Sequence, residues 1–107
     1  MTVAPVEVFA ALGDPHRLEL LEHISRAGQA TATSLAAPMP VTRQAVTKHL
    51  RVLEGAGLLQ SRRSGRQVLY LVRPDALERQ ARWLADVAGT WERRLAGVRA
   101  AAEKGAG

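Results

Sequence analysis

The chain has 107 residues, the length of one ordinary domain, so we expect a single domain over residues 1–107 and no second catalytic one. Its 47% hydrophobic and 23% charged residues favour a folded core over a disordered tail. It contains no cysteine, which excludes disulfides and thiolate chemistry, and its net charge of +5 favours an anionic partner. No apolar stretch approaches the ~20 residues of a membrane-spanning helix and no leader opens the chain, so we expect a cytoplasmic protein without a membrane partner.

Two helices are predicted at the start of the chain. A short amphipathic turn, ended by Gly13, comes first, and its apolar residues are Val6, Phe9 and Ala10. Asp14 and Pro15 then signal a longer helix, because Asp accepts from the first free N–H groups and Pro at the first position loses no hydrogen bond. Gly28 ends this helix. Its expected buried positions are Leu18, Leu21 and Ile24, with Leu20 beside them, and its expected solvent-facing positions are Arg17, Glu19, Glu22 and Arg26.

A helix pair is predicted next. Thr31 or Thr33 can cap a brief helix over residues 34–37, which the prolines at 38 and 40 close off. Thr42 is the expected N-cap of a better helix, which ends at Gly57 in a left-handed conformation that only glycine adopts cheaply. Its buried stripe, at i, i+4 and i+7, is Val46, Leu50 and Leu53. The opposite face of this helix is polar and basic.

A β-hairpin and a long helix complete the chain. Residues 58–63 and 67–72 have the pattern of strands, with Gly65 in the turn between them. From Pro74 a helix is expected to run to about Ala101. Its apolar positions form a heptad seam, namely Leu77, Ala81, Leu84, Ala88, Trp91, Leu95 and Val98. A chain this small has little surface of its own to cover the seam, so a second copy is the favoured partner and packing on its own core is the alternative.

The order of these elements is that of a helix-turn-helix followed by a wing and a dimerisation helix. The predicted fold class is therefore mainly α with a small β-hairpin (α+β), a winged helix-turn-helix with a long C-terminal helix. We expect the dimer to form through residues 1–12 and 75–101. The residues expected in that interface are Val6, Phe9, Leu77, Leu84, Trp91 and Leu95.

Positive charge is concentrated in the middle third of the chain. Between Thr42 and Arg73 there are seven basic residues and one acid, Glu54, whereas the remainder holds eight basic and nine acidic residues. A surface without a partner would intersperse its signs, so this concentration indicates contact with the phosphates of nucleic acid. The alternative is a merely solvated basic face.

The N-terminal half of the predicted second helix of the pair carries side chains suited to reading DNA. Arginine pairs with guanine and glutamine with adenine in the major groove, while threonine and lysine contact bases or phosphates. The residues expected to do so are Thr42, Arg43, Gln44, Thr47 and Lys48, with Arg51 adding charge. Thr42 can be an N-cap and a contact at once.

Three segments resemble the ArsR/SmtB family of winged-helix repressors. They are LGDPHRL at residues 12–18, VTRQAVTKHLRVLEGAGLL at residues 41–59 and GRQVLYL at residues 65–71. The resemblance covers nearly the whole chain and implies a homodimer, joined through the first and last helices, that binds an inverted-repeat operator in double-stranded DNA and represses. It assigns base reading to Thr42, Arg43, Gln44, Thr47 and His49, and contact with the minor groove or phosphates to Arg62, Arg63 and Arg66.

The sequence departs from the metal-sensing members of that family. Those members resemble one another in binding metal through cysteines near the third helix or through Asp, His and Glu along the last helix. Here residues 30–39 contain no Cys, His or acid, and the helix after Pro74 contains no His. Neither kind of metal site can therefore form in this chain at those places. His16 and His23 lie seven residues apart on one helix and could share a face, but two such histidines are more often structural or surface residues than metal ligands. We therefore expect no metal and no cofactor, and the residues do not identify an effector ligand.

Two other functions compete with DNA recognition. An enzyme lacks support, because the chain has no Cys, no glycine-rich phosphate loop and no acid paired with a His on an identifiable cleft. A winged helix can also bind an acidic protein through its seam and arginine hairpin, or bind DNA without sequence preference as an architectural protein. Salt and sequence dependence of binding distinguish these possibilities.

Overall fold

The computed structural model describes residues 3–106, with side chains for residues 3–105. Met1, Thr2 and Gly107, which belong to the expected domain and in part to the expected dimer segments, lie outside the described residues. The elements are α1 (Pro5–Leu12), α2 (Pro15–Ala27), α3 (Ala32–Ala36), α4 (Arg43–Gly55), β1 (Leu59–Ser64), β2 (Gln67–Val72) and α5 (Pro74–Ala106). This order confirms the predicted winged helix-turn-helix with a long C-terminal helix.

The described residues fall into two compact units, one ending at Leu77 and the other beginning at Glu78. The first unit contains α1 to α4, the hairpin and the start of α5. The second unit consists of the remaining residues of α5. That the whole chain forms one domain stays a prediction.

The core of the first unit joins α1, α2, α4 and the hairpin. Its largest fully buried side chains are Val8, Leu20, Ile24, Val46, Leu50, Leu53, Leu58 and Leu59. The predicted stripe of α4, Val46, Leu50 and Leu53, is fully buried as expected. Because one face of α4 is committed to this core, its other face is left for solvent or a partner.

The predicted burial of Leu18 in the second helix was wrong. Leu18 is 46% exposed, and the core side of α2 carries Leu20 beside Leu21 and Ile24. In α1 the core-facing residues are Val8 and Ala11, whereas Val6 is 72% exposed. Short apolar patterns indicate amphipathicity well but leave the direction of the stripe to the neighbouring helices, which decide which face is covered.

Arg17 also differs from its predicted place, because its side chain is half-buried rather than facing solvent. Its Nε donates to the carbonyl oxygen of Ala11 at 2.6 Å, and its Nη2 donates to that of Ala10 at 3.3 Å. The last carbonyls of a helix lack partners within the helix. The guanidinium therefore caps the end of α1 from α2 and holds the two helices together.

The helix pair α3 and α4 is defined by its caps. Thr31 and Ser34 form a reciprocal capping box at α3, which begins two residues earlier than predicted, and Thr42 caps α4. After α4, Gly57 has φ 78° and its N–H donates to Glu54, while Leu58 N–H donates to Leu53, each at 3.0 Å. These two bonds form a Schellman motif, which turns the chain from α4 into β1.

The wing is an antiparallel hairpin with a two-residue turn. Gly65, with φ 61°, and Arg66 link the strands, and Ser64 pairs with Gln67 next to the turn. Ala30 bridges to Tyr70 through two backbone hydrogen bonds of 3.1 and 2.8 Å, which ties the segment before α3 to β2. The hairpin is therefore held against the helix pair at its base, and its arginine-bearing tip lies farthest from that base.

Helix α5 ends at Ala106, five residues later than the predicted end near Ala101. Residues 100–104 are three alanines, a glutamate and a lysine, all of them strong helix formers. No residue among them supplies a stop, so the helix continues to the last residue that the structure describes.

Candidate nucleic-acid interface

The exposed face of α4 gathers most of the side chains expected to read DNA. Arg43, Gln44, Thr47, Lys48 and Arg51 line one open depression on the molecular surface. They occupy the side of α4 away from its buried stripe, where the helical repeat places them one turn above another. The helix therefore presents long donor side chains from its N-terminal turn to its middle.

The two threonines of this helix already make local hydrogen bonds. Thr42 Oγ1 accepts from the backbone N–H of Ala45 at 3.1 Å, and Thr47 Oγ1 donates to the carbonyl of Arg43 at 3.0 Å. A hydroxyl has one donor and two acceptor positions, so each threonine keeps capacity for a further hydrogen bond. Thr42 is thus an N-cap, and its contact with DNA stays a prediction.

The register of the hairpin separates the wing arginines. Arg62 pairs with Leu69, and Arg63 pairs with Val68. Successive residues of a strand point to opposite faces, so these two arginines lie on opposite faces of the wing. Arg63 shares its face with Tyr70, which is buried against the core, and Arg62 lies on the outer face.

A cleft of about 530 Å³ joins α4 to the wing. Arg43, Thr47 and Arg51 line it from α4, and Arg66 lines it from the hairpin turn. The beginning of α3 closes another side through the hydroxyl-bearing residues Thr31, Thr33 and Ser34. The tertiary fold thus brings together charges that are separated by up to 23 positions in sequence.

The charge of this surface is not neutralised by the chain itself. Among the side chains of residues 3–105, no ion pair involves any of the six cations Arg43, Lys48, Arg51, Arg62, Arg63 and Arg66. Glu54, the acid of this stretch, accepts a hydrogen bond from the Ser61 hydroxyl of β1. The surface therefore carries a net positive field that favours a polyanion.

His49 contacts helix α2. Its ring centroid lies 5.7 Å from that of His16, and its Nδ1 lies 3.3 Å from Nη1 of Arg17. These contacts lie beside α2, and His49 is not among the residues that line the exposed face or the cleft. Its expected role in base reading stays a prediction.

Sequence reasoning missed the group that His49 forms with Asp14 and His16. The sequence allows His16 and His23 to share a face of α2, but Nε2 of His23 lies 3.8 Å from Oε1 of Glu19 on the outside of that helix. Asp14 is the N-cap of α2, and the N–H of Arg17, with that of His16, holds the pKa of its carboxyl below the usual value. Only the packing of α4 on α2 brings His49 there, so no local pattern could have found the group.

The second unit presents a row of exposed apolar side chains along α5. The row is formed by Leu84, Val87, Trp91, Leu95 and Val98, each between 37% and 66% exposed. Arg94 lies over the Trp91 ring, 5.6 Å from its centroid. Leu84, Trp91, Leu95 and Val98 are positions of the predicted heptad seam, whereas Val87 precedes the predicted Ala88.

The other residues expected in a dimer interface have different surroundings. Leu77 is half-buried and packs against the core of its own unit. Phe9 is half-buried on α1, while Val6 is largely exposed. Their part in an interface stays a prediction.

Within the described residues, no helix combines the length and the apolar content that crossing a membrane requires.

The chain is similar in sequence and in fold to known helix-turn-helix transcriptional regulators. A model described as a helix-turn-helix domain matches residues 12–62. The solved structure of an ArsR-like transcriptional regulator from Rhodococcus sp. RHA1 has a TM-score of 0.78 and 40% identity, covering 88% of each chain.

Two curated sequences are also similar. The transcriptional repressor SmtB homolog of Synechocystis sp. is 38% identical over 75% of this chain and 60% of that protein. The uncharacterized HTH-type transcriptional regulator YuzN of Bacillus subtilis is 35% identical over 66% of this chain and 84% of that protein. The similarity therefore extends beyond the helix pair to most of the chain.

Proposed function

This chain belongs to the ArsR/SmtB family of winged helix-turn-helix transcriptional regulators, and we propose that it acts as a homodimeric repressor on an inverted-repeat operator. The family consists of regulators rather than enzymes. Its Synechocystis relative is named a repressor, which supports repression here. We place this action in the cytoplasm.

The observation that carries the proposal is the cleft between α4 and the wing. Arg43, Arg51 and Arg66 converge there from two elements, and no acid within the described residues pairs with them. A groove with this charge matches the two phosphate backbones that border a major groove, with α4 inserted between them. A partner that is merely acidic would not need the polar side chains on the helix tip.

We assign base reading to the first two turns of α4. Arg43 and Gln44 are exposed and follow the Thr42 cap directly, so they project from the end of the helix that enters a groove first. Arginine suits the O6 and N7 acceptors of guanine, and glutamine suits the N6 and N7 edge of adenine. Thr47, Lys48 and Arg51 lie farther along the same face and supply contacts to bases or phosphates.

We assign the wing arginines to the DNA backbone or minor groove. Arg66 stands in the hairpin turn, and Arg63 lies near that turn on β1. Contacts to phosphate carry no base information but hold α4 in register on the duplex.

The exposed seam of α5 supports the homodimer. Trp91, Leu95 and Val98 each expose more than half of their surface, which is costly unless a second apolar surface covers them. Two copies related by a twofold axis would place their α4 helices about 34 Å apart, one turn of duplex, so half-sites should be about ten base pairs apart. Footprinting that shows an unrepeated site would contradict this geometry.

The test is selection of bound duplexes from a random library, followed by affinity measurements on the winner and on a scrambled duplex of the same composition. We expect tight binding of the selected palindrome and much weaker binding of the scrambled one. The logarithm of the affinity should fall linearly with the logarithm of the salt concentration, with a slope of about −1 for each phosphate contact. Equal affinity for both duplexes would overturn the proposal in favour of an architectural role, and no binding at low salt would favour a protein partner.

A further inference from the structure

The group of Asp14, His16 and His49 lies at the junction of α2 and α4. One potential ligand atom from each residue lies within 4.8 Å of the others, and all three residues are half-buried. Two imidazoles and a carboxylate form the donor set of three-ligand zinc sites, which leave the fourth position to water. In tetrahedral coordination such ligand atoms lie roughly 3.4 Å apart, so small side-chain movements would close the group around an ion.

We propose that Asp14, His16 and His49 bind one divalent transition-metal ion of the zinc class. Imidazole nitrogen suits late first-row metals, whereas Mg²⁺ and Ca²⁺ prefer sites made of oxygen ligands alone. This inference does not depend on the proposed function, because it concerns the binding of an ion and not of DNA.

The two oxygens of Asp14 can divide their roles. Oδ1 accepts the capping hydrogen bonds from His16 and Arg17 at 2.9 and 3.2 Å. Oδ2 is 4.0 Å from the guanidinium of Arg17 and makes no cap bond. The carboxylate can therefore bind the ion through Oδ2 while α2 keeps its N-cap.

Arg17 occupies the place of a cation in the metal-free chain. Its Nη1 lies 3.3 Å from Nδ1 of His49 and 4.0 Å from Oδ2 of Asp14, so one guanidinium group contacts two of the three ligands. A bound ion repels this group and replaces it beside His49. Nε of Arg17, bonded to the carbonyl of Ala11, keeps the side chain anchored at α1 while its end moves away.

The experiment is a Zn²⁺ titration of the tag-free full chain, by calorimetry and by thermal unfolding. We expect one ion per chain and a higher Tm with Zn²⁺, because an ion that binds only the folded state stabilises it. His16→Gln, His49→Gln and Asp14→Asn should each weaken Zn²⁺ binding by roughly tenfold or more and remove the Tm rise. Asparagine still caps helices, so the Asp14 variant tests the ligand apart from the cap.

His23→Gln is the matched control, since it removes a histidine of the same helix that lies outside the group. It should bind Zn²⁺ as the wild type does. Far-UV circular dichroism of each variant establishes that it is folded. Unchanged Zn²⁺ affinity in the His16 and His49 variants, an equal loss in His23→Gln, or a wild-type Tm that Zn²⁺ does not raise would each overturn the proposal.

Discussion

At the scale of single residues, two glycines near the end of α4 should respond in opposite ways to substitution by alanine. Gly57 has φ 78°, and a Cβ there would also lie 3.5 Å from Cγ2 of Val3, whereas Gly55 is helical and a Cβ there meets nothing within 4 Å. We expect Gly57→Ala to lower the free energy of unfolding by about 1–2 kcal/mol, the cost of a left-handed non-glycine residue. Gly55→Ala, its control, should raise it by about 0.5–1 kcal/mol. Urea unfolding of the two variants measures both, and a similar loss in each would contradict the assignment.

Asp14 makes stability depend on pH. Its pKa is lowered in the folded chain, chiefly by the hydrogen bond from Arg17 N–H, so the ionised carboxylate favours folding. This contribution is complete above the unfolded-state pKa of about 3.9 and is lost as the pH falls through the lower folded-state value. Asp14→Asn keeps a capping oxygen but does not titrate. The wild type should therefore exceed the variant in stability near pH 6, and the difference should shrink toward pH 3, as urea unfolding at each pH would show. A difference that does not change with pH would contradict this account.

At the scale of elements, substitutions in α4 and substitutions in the wing should change different properties of DNA binding. Arg43→Ala and Gln44→Ala should reduce the preference for the selected duplex over the scrambled one, by about 1–3 kcal/mol for each lost base contact. Arg66→Ala should weaken binding to both duplexes alike and lower the salt slope by about 1. Fluorescence anisotropy at several salt concentrations measures both quantities. Loss of sequence preference in the Arg66 variant alone would reverse the two assignments.

The elements themselves follow from local chemistry to a large extent. Asp14 and Thr42 are the expected helix caps, with Thr31 or Thr33 for the brief helix, and Asp14, Thr31 and Thr42 accept the capping backbone N–H bonds. Gly57 and Gly65 adopt positive φ where a helix end and a hairpin turn were predicted. Caps and turns act within a few residues, and this is why the sequence was enough to place them. The end of α5 was placed five residues too early, because no stop signal marks it.

At the scale of the whole molecule, the proposed homodimer would cover the exposed seam of α5. Trp91→Asp places a charge in the centre of the seam and should convert the dimer to a monomer, which sedimentation measures. Tight operator binding should be lost with it, because one half-site supplies too few contacts. Ala100→Asp is the control, since it adds the same charge nine residues farther along the same helix, at an exposed position about 180° around it from Trp91. A monomeric Trp91 variant that binds the operator as tightly as the wild type would contradict the dimer.

The sequence by itself determined the order of the elements, their caps and the basic character of the middle third, because hydrophobic period, capping and charge are properties of neighbouring residues. Only the tertiary structure decided that Arg17 turns inward to cap α1, that Arg43 and Arg66 face one cleft, and that His49 lies against His16. Each of these depends on which faces of two elements meet. That choice is made by packing over the whole core, where a rotation of one helix exchanges buried and exposed side chains at little local cost.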